Sequence, residues 1–108
     1  MSYDFTIEEE AHIRAALLYW REHWDFECPT LFGVELEDLE RVVDAWPHHD
    51  APKEVEAMAV IGALRELLYG ASTPPKEQLP MIVGVGYEGA SELCTKVHRI
   101  YRSSENGQ

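Results

Sequence analysis

Three glycines, Gly84, Gly86 and Gly89, spell G-x-G-x-x-G, the spacing with which a backbone cradles a pyrophosphate. That chemistry needs a strand before the glycines, a helix after them and parallel strands alongside. The chain upstream has helical periodicity, so Met81-Ile-Val83 has no sheet to join. The acidic residue that would hold a ribose, about 20 residues further on, falls at Glu105, in an expected tail. Glu88 also puts a negative charge where phosphate oxygens would sit, against the anion preference of a helix N-terminus. The motif is therefore read as a turn. Gly84 and Gly86 supply unusual dihedrals, and Gly89 permits close approach to a neighbouring helix.

The other chemistry-bearing groups are incomplete sets. Glu9-x-x-His12 has the spacing of carboxylate-bridged di-metal bundles, but those sites need a second Glu-x-x-His and two more inward carboxylates, and the chain has no second Glu-x-x-His. It reads as the first turn of an exposed helix. His48-His49-Asp50 offers loop ligands without a nearby cysteine to complete a zinc set. The plainer reading is a polar turn in which Asp50 caps the next helix. Cys94 falls on an apolar stripe and reads as a buried thiol, whereas Cys28, beside Pro29, reads as the more accessible of the two. Asp25 and Glu27 next to Cys28 oppose the electropositive setting that a nucleophilic thiolate needs. No catalytic residue, metal ligand or cofactor is expected.

What remains is charge. The chain of 108 residues carries net charge −11 with a pI near 4.7. The first 50 residues hold 13 Asp/Glu and 3 Lys/Arg; the rest hold 7 and 6. Such a field repels a phosphate backbone, which argues against direct nucleic-acid binding, and accelerates encounter with a basic protein. The carboxylates concentrate in Asp25, Glu27, Glu35, Glu37, Asp38, Glu40 and Asp44, interrupted only by Arg41. Glu37, Glu40 and Asp44 recur at spacings of 3 and 4, which puts them on one helical face, opposite Leu36 and Leu39. A face that serves only solubility more often mixes lysine with glutamate. These seven carboxylates are the expected partner-binding residues. Trp24, Phe26 or Phe32 would supply apolar anchoring where exposed.

The elements that must position these residues are helices. Thr6 with Glu9 forms a capping box, and Ile13, Leu17, Trp20 and Trp24 form one stripe of a helix over about Ile7 to Asp25. Cys28 to Gly33 reads as a connection broken by Pro29 and Gly33. Leu36, Leu39, Val43 and Trp46 predict a second helix over about Val34 to Trp46, stopped by Pro47. Ile61, Leu64 and Leu68, widened by Val60 and Leu67, predict a third, broad-faced and most buried, with Pro52 in its first turn and Gly70 as its C′ glycine. Residues 76–83 read either as a short helix interrupted at Pro80 or as an irregular crossing. Ala90, Leu93, Cys94, Val97, Ile100 and Tyr101 predict a last helix from Tyr87 to Arg102, with Lys96, Arg99 and Arg102 favouring its dipole and a frayed tail beyond.

Residues 1–108 are thus expected to be a single all-α domain, a compact bundle of four main helices with a short fifth segment near 76–83. With no apolar run of about 20 residues, an acidic start without an apolar core, and only two cysteines, the expectation is a reduced, cytoplasmic protein. In general character, though in no motif, the chain is similar to small acidic helical immunity proteins and nucleic-acid-mimic inhibitors. That similarity implies a non-enzymatic protein that neutralises or regulates a basic partner, a toxin or a nucleic-acid enzyme. A helical adaptor or homo-oligomer is the alternative, and a small histidine-based metal protein the third.

Overall fold

The computed structural model describes residues 5–46, 48, 52–70 and 73–106, the side chains of 103–106 apart. Six α-helices are present among the described residues, and no strand: α1 (Ile7–Glu22), α2 (Cys28–Phe32), α3 (Leu36–Ala45), α4 (Lys53–Leu68), α5 (Leu79–Val83) and α6 (Tyr87–Asn106). A 3₁₀ turn, Lys76–Gln78, leads into α5. Four helices have ten residues or more, so the expected all-α bundle is present.

The capping box of α1 forms as its spacing predicts. Glu9 N–H donates to Thr6 Oγ1 at 3.0 Å and Thr6 N–H donates to Glu9 Oε1 at 2.9 Å. The helix ends three residues before the predicted Asp25. Glu27 N–H donates to Asp25 Oδ1 at 2.9 Å, a local side-chain bond that competes with continued helix. Cys28–Phe32, expected as a connection, is helical. Pro29 sits in the first turn, where its missing N–H breaks no bond, and Gly33 closes the turn at φ 79°. The same device builds α5. Pro80 starts it rather than interrupting it, and Gly84 caps it at φ 90°. Both short helices are thus framed by the residues that read as breakers.

Helix α4 is the centre, packed against α1, α2, α3 and α6. Its Ala57, Ala59, Val60, Ala63, Leu64, Leu67 and Leu68 are all buried, which meets the broad apolar face predicted for it. Gly62 admits α2: a Cβ there would lie 2.6 Å from Phe32 Cδ2. The buried Trp20 indole donates to Ala63 O at 2.9 Å, and Trp46 donates to Glu10 O at the same distance, so both satisfy their polar atom. Two carboxylates of α4, Glu56 and Glu66, are buried as well, which its apolar pattern does not announce. Tyr101, read as one more apolar residue of α6, donates its hydroxyl to Glu56 Oε2 at 2.6 Å.

Four further expectations need correction. Gly86, unlike Gly84, is not left-handed, and Gly70, though it stands at the C′ position of α4 as read, is not left-handed either. A Cβ on Gly70 would fall 1.8 Å from Glu66 Oε1 and 3.1 Å from Glu66 Cα, so the Glu66 carboxylate would have to move to admit it. Gly89 does not meet another helix; a Cβ would meet Val85, 3.1 Å away, in its own turn. Helix α6 continues to Asn106, so Arg102 lies before the last turn rather than in it, and residues 103–106 are helix rather than tail. Asp50 as a helix cap, and His49 beside it, lie outside the described residues.

Candidate functional site

The sequence motifs resolve into structural roles. His12 Nδ1 lies 2.6 Å from Val83 O, tying α1 to the end of α5 beside Gly84. Glu9 accepts from Lys96 Nζ at 2.7 Å as well as from Thr6, tying α1 to α6. That bond is the main reason the Glu9 carboxyl sits below its ordinary range. Glu9 and His12 therefore each tie α1 to a neighbouring helix. Among the described residues no group of three or more His, Cys, Asp or Glu is gathered as a metal would require.

Neither thiol is exposed. Cys94 is buried as read from its stripe, and Cys28, expected to be the more accessible, is buried completely. It occupies the first position of α2, facing the core, and Asp25 N–H points to its Sγ at 3.5 Å. Burial pushes both thiols above their ordinary value, which disfavours the thiolate.

The seven carboxylates of the acidic segment lie on two elements. Asp25 and Glu27 stand at the entry to α2; Glu35, Glu37, Asp38, Glu40 and Asp44 belong to α3 and its N-cap. Six of them are exposed and Asp38 is half-buried. Asp25 accepts from the Glu27 amide, and Glu35 and Asp38 form the capping box of α3, with Asp38 accepting from the Glu35 amide at 3.1 Å. Asp44 lies 4.0 Å from Arg21, a long surface pair of little energetic weight. Glu37 and Glu40 make no ion pair among the described residues, and with Asp44 they occupy the side of α3 away from buried Leu39, Val42 and Val43.

The three aromatic candidates separate. Phe32 is buried under Trp20 and Trp24, with ring centroids 5.6 and 5.0 Å away, so it is core and not an anchor. Trp24 is half-buried against it. Phe26 is 89% exposed, between Asp25 and Glu27. A phenylalanine this bare serves no packing in the isolated chain, and burying it on a partner is worth about 1.5–3 kcal/mol.

A concave region elsewhere on the molecule was not legible in the sequence. A cleft of about 480 Å³ lies between α2, α4 and α6. Its floor is apolar, and Arg65, His98 and Arg102 line it. These come from two helices whose pairing no local spacing shows. Only the stripe Thr95, His98, Arg99, Arg102, at steps of 3, 1 and 3 on one face of α6, hinted at a basic surface. His98 is held below its ordinary value, first by burial and then by the charges of Arg102 and Arg65.

The chain matches no family model, no curated protein and no solved structure. No helix among the described residues is long and apolar enough to cross a membrane.

Proposed function

We propose that this chain is a non-enzymatic binding protein that neutralises or regulates a basic protein by stoichiometric occlusion, in the manner of an immunity protein or a nucleic-acid mimic. The observation that carries the reading is Phe26, 89% exposed and flanked by Asp25 and Glu27, in a segment with seven carboxylates and one arginine. An apolar anchor ringed by like charges suits a cationic surface that also offers a pocket. Glu27, Glu35, Glu37 and Glu40 meet Lys and Arg side chains that otherwise hold phosphate. Asp25 and Asp38 support this surface by fixing its backbone, and Asp44 contributes at its edge. Long-range attraction sets the association rate, and Phe26 slows dissociation.

The test is capture by wild-type protein and by Phe26→Ala. Burial of this ring predicts that the variant holds its partner at least about tenfold more weakly, since 1.4 kcal/mol is tenfold in affinity. Equal capture by both would remove the anchor from the account.

The oligomeric alternative has its own observation. Ala15, Leu18, Tyr19 and Ile82 line a shallow groove between α1 and α5, beside Met81, which is 90% exposed. A second copy covering it would form a dimer indifferent to salt, and light scattering at low and high salt separates the two readings.

A further inference from the structure

We propose that the cleft between α2, α4 and α6 binds an amphipathic oxyanion: a carboxylate or phosphate head carried on an apolar chain. The inference does not use the acidic segment, so it stands or falls apart from the proposed function.

Glu54, Met58, Ile61 and Arg65 recur every three or four residues and form the strip of α4 that faces the cleft. At 1.5 Å per residue that strip is about 16 Å long. The volume, about 480 Å³, falls in the range of small-molecule sites, roughly 300–1,000 Å³. Phe32, Ala57, Met58 and Ile61 supply apolar surface. Met58 is 47% exposed, so part of this floor is left uncovered by the core. Water on such a surface is displaced at a gain by a hydrocarbon chain.

The polar side of the cleft holds two guanidinium groups, in a chain of net charge −11. Glu54 also lines it and Glu66, bonded to Arg65, offsets that charge, whereas Arg102 makes no ion pair among the described residues. Arg65 is fixed in place: its Nε donates to Glu66 Oε2 at 3.0 Å and its Nη2 to Leu31 O at 2.6 Å. Its Nη1 makes no hydrogen bond among the described residues, nor does the Arg102 guanidinium. A guanidinium held at two of its nitrogens with a third unused is preorganised for an oxyanion and loses little entropy on binding one. His98 lines the cleft with both arginines, and the side of the cleft that the three share is where the head group is placed. Arg99, on the same face of α6 and lining an adjoining hollow with His98 and Arg102, adds to the field.

Isothermal titration of the intact protein at low salt tests this with decanoate, decyl phosphate and decanol, each below its aggregation threshold. The expected result is saturable 1:1 binding of at least one anion, with decanol weaker by about tenfold or more, the loss of one good charged contact. The anion that binds more tightly identifies the head group. Arg102→Gln weakens the anion about fivefold or more and leaves Tm within about 2 °C, since an exposed arginine without an ion pair contributes little to stability. Met58→Gln weakens the anions and decanol alike, and Arg41→Gln, on α3, changes nothing. Equal binding of decanol and anion, an unaffected Arg102→Gln, or no saturable binding of either anion overturns the proposal.

Discussion

Replacing Tyr101 by phenylalanine removes one oxygen atom from the core and separates two accounts of α6. On periodicity alone Tyr101 is one more apolar residue, and phenylalanine would be neutral or mildly stabilising. In the structure its hydroxyl, on a residue 1% exposed, donates to the carboxylate of Glu56, itself 2% exposed, at 2.6 Å. Hydrogen bonds to charged groups contribute about 1.5–3 kcal/mol, more than the gain from a slightly more apolar ring. For a chain of this length 1 kcal/mol corresponds to roughly 4–8 °C, so Tm should fall on the order of 10 °C. Urea unfolding gives the free energy, and an unchanged slope would show that only the folded state is affected. Tyr69→Phe is the control: that hydroxyl meets Ser91 Oγ at 3.1 Å on an exposed residue, and its loss should cost less than about 0.5 kcal/mol. A double-mutant cycle with Glu56→Gln should recover a coupling of about 1 kcal/mol or more. If Tyr101→Phe unfolds within about 0.3 kcal/mol of wild type, Tyr101 contributes packing alone and the buried pair carries no stability.

Other consequences follow from the same packing. Gly70→Ala should destabilise by about 1–3 kcal/mol, because its Cβ overlaps Glu66 Oε1 while Arg65 holds the other carboxylate oxygen; in a Glu66→Ala background, where only the tight 3.1 Å approach to the Cα of residue 66 remains, the loss should fall to less than half, as urea unfolding of the four variants will show. Glu9 has its folded carboxyl lowered chiefly by the Lys96 bond, so that stability is present above the ordinary carboxylate range and is lost as pH falls through the depressed value; Lys96→Met should flatten this part of the acid-unfolding curve. His98 has its folded value lowered below 6.5 by burial and by Arg102 and Arg65. The unfolded chain therefore takes up a proton first, and stability drops as pH falls from about 6.5 through the folded value; NMR titration of the ring, with loss of this slope in His98→Gln, measures it.

The main helices were readable because each buries one stripe, and a stripe is a local property of sequence. The short ones were not. Pro29 and Pro80 read as interruptions, yet each sits in the first turn of a five-residue helix, and only tertiary packing of Phe32 and Leu79 makes such helices persist. Buried polar pairing was also invisible: the separation of 45 positions from Glu56 to Tyr101 leaves no periodic trace. The acidic strip was legible in type and in face, because Glu37, Glu40 and Asp44 share a helix. Which aromatic stands bare was not legible, since exposure of Phe26 and burial of Phe32 depend on how α2 meets Gly62. The cleft was hidden for the same reason, its arginines lying on separate helices.

The central claim is that the carboxylates of α3 dock a cationic protein. The most direct measurement compares immobilised wild-type protein with the triple variant Glu37→Gln, Glu40→Gln, Asp44→Asn in quantitative capture from an extract of the native host at low salt. The wild type should enrich a basic protein in near 1:1 amount, released as salt approaches about 1 M, where the screening length falls to roughly 3 Å. The triple variant, equally folded, should retain about a tenth of it or less. Identical capture by both proteins, or capture that includes no basic partner, contradicts the claim.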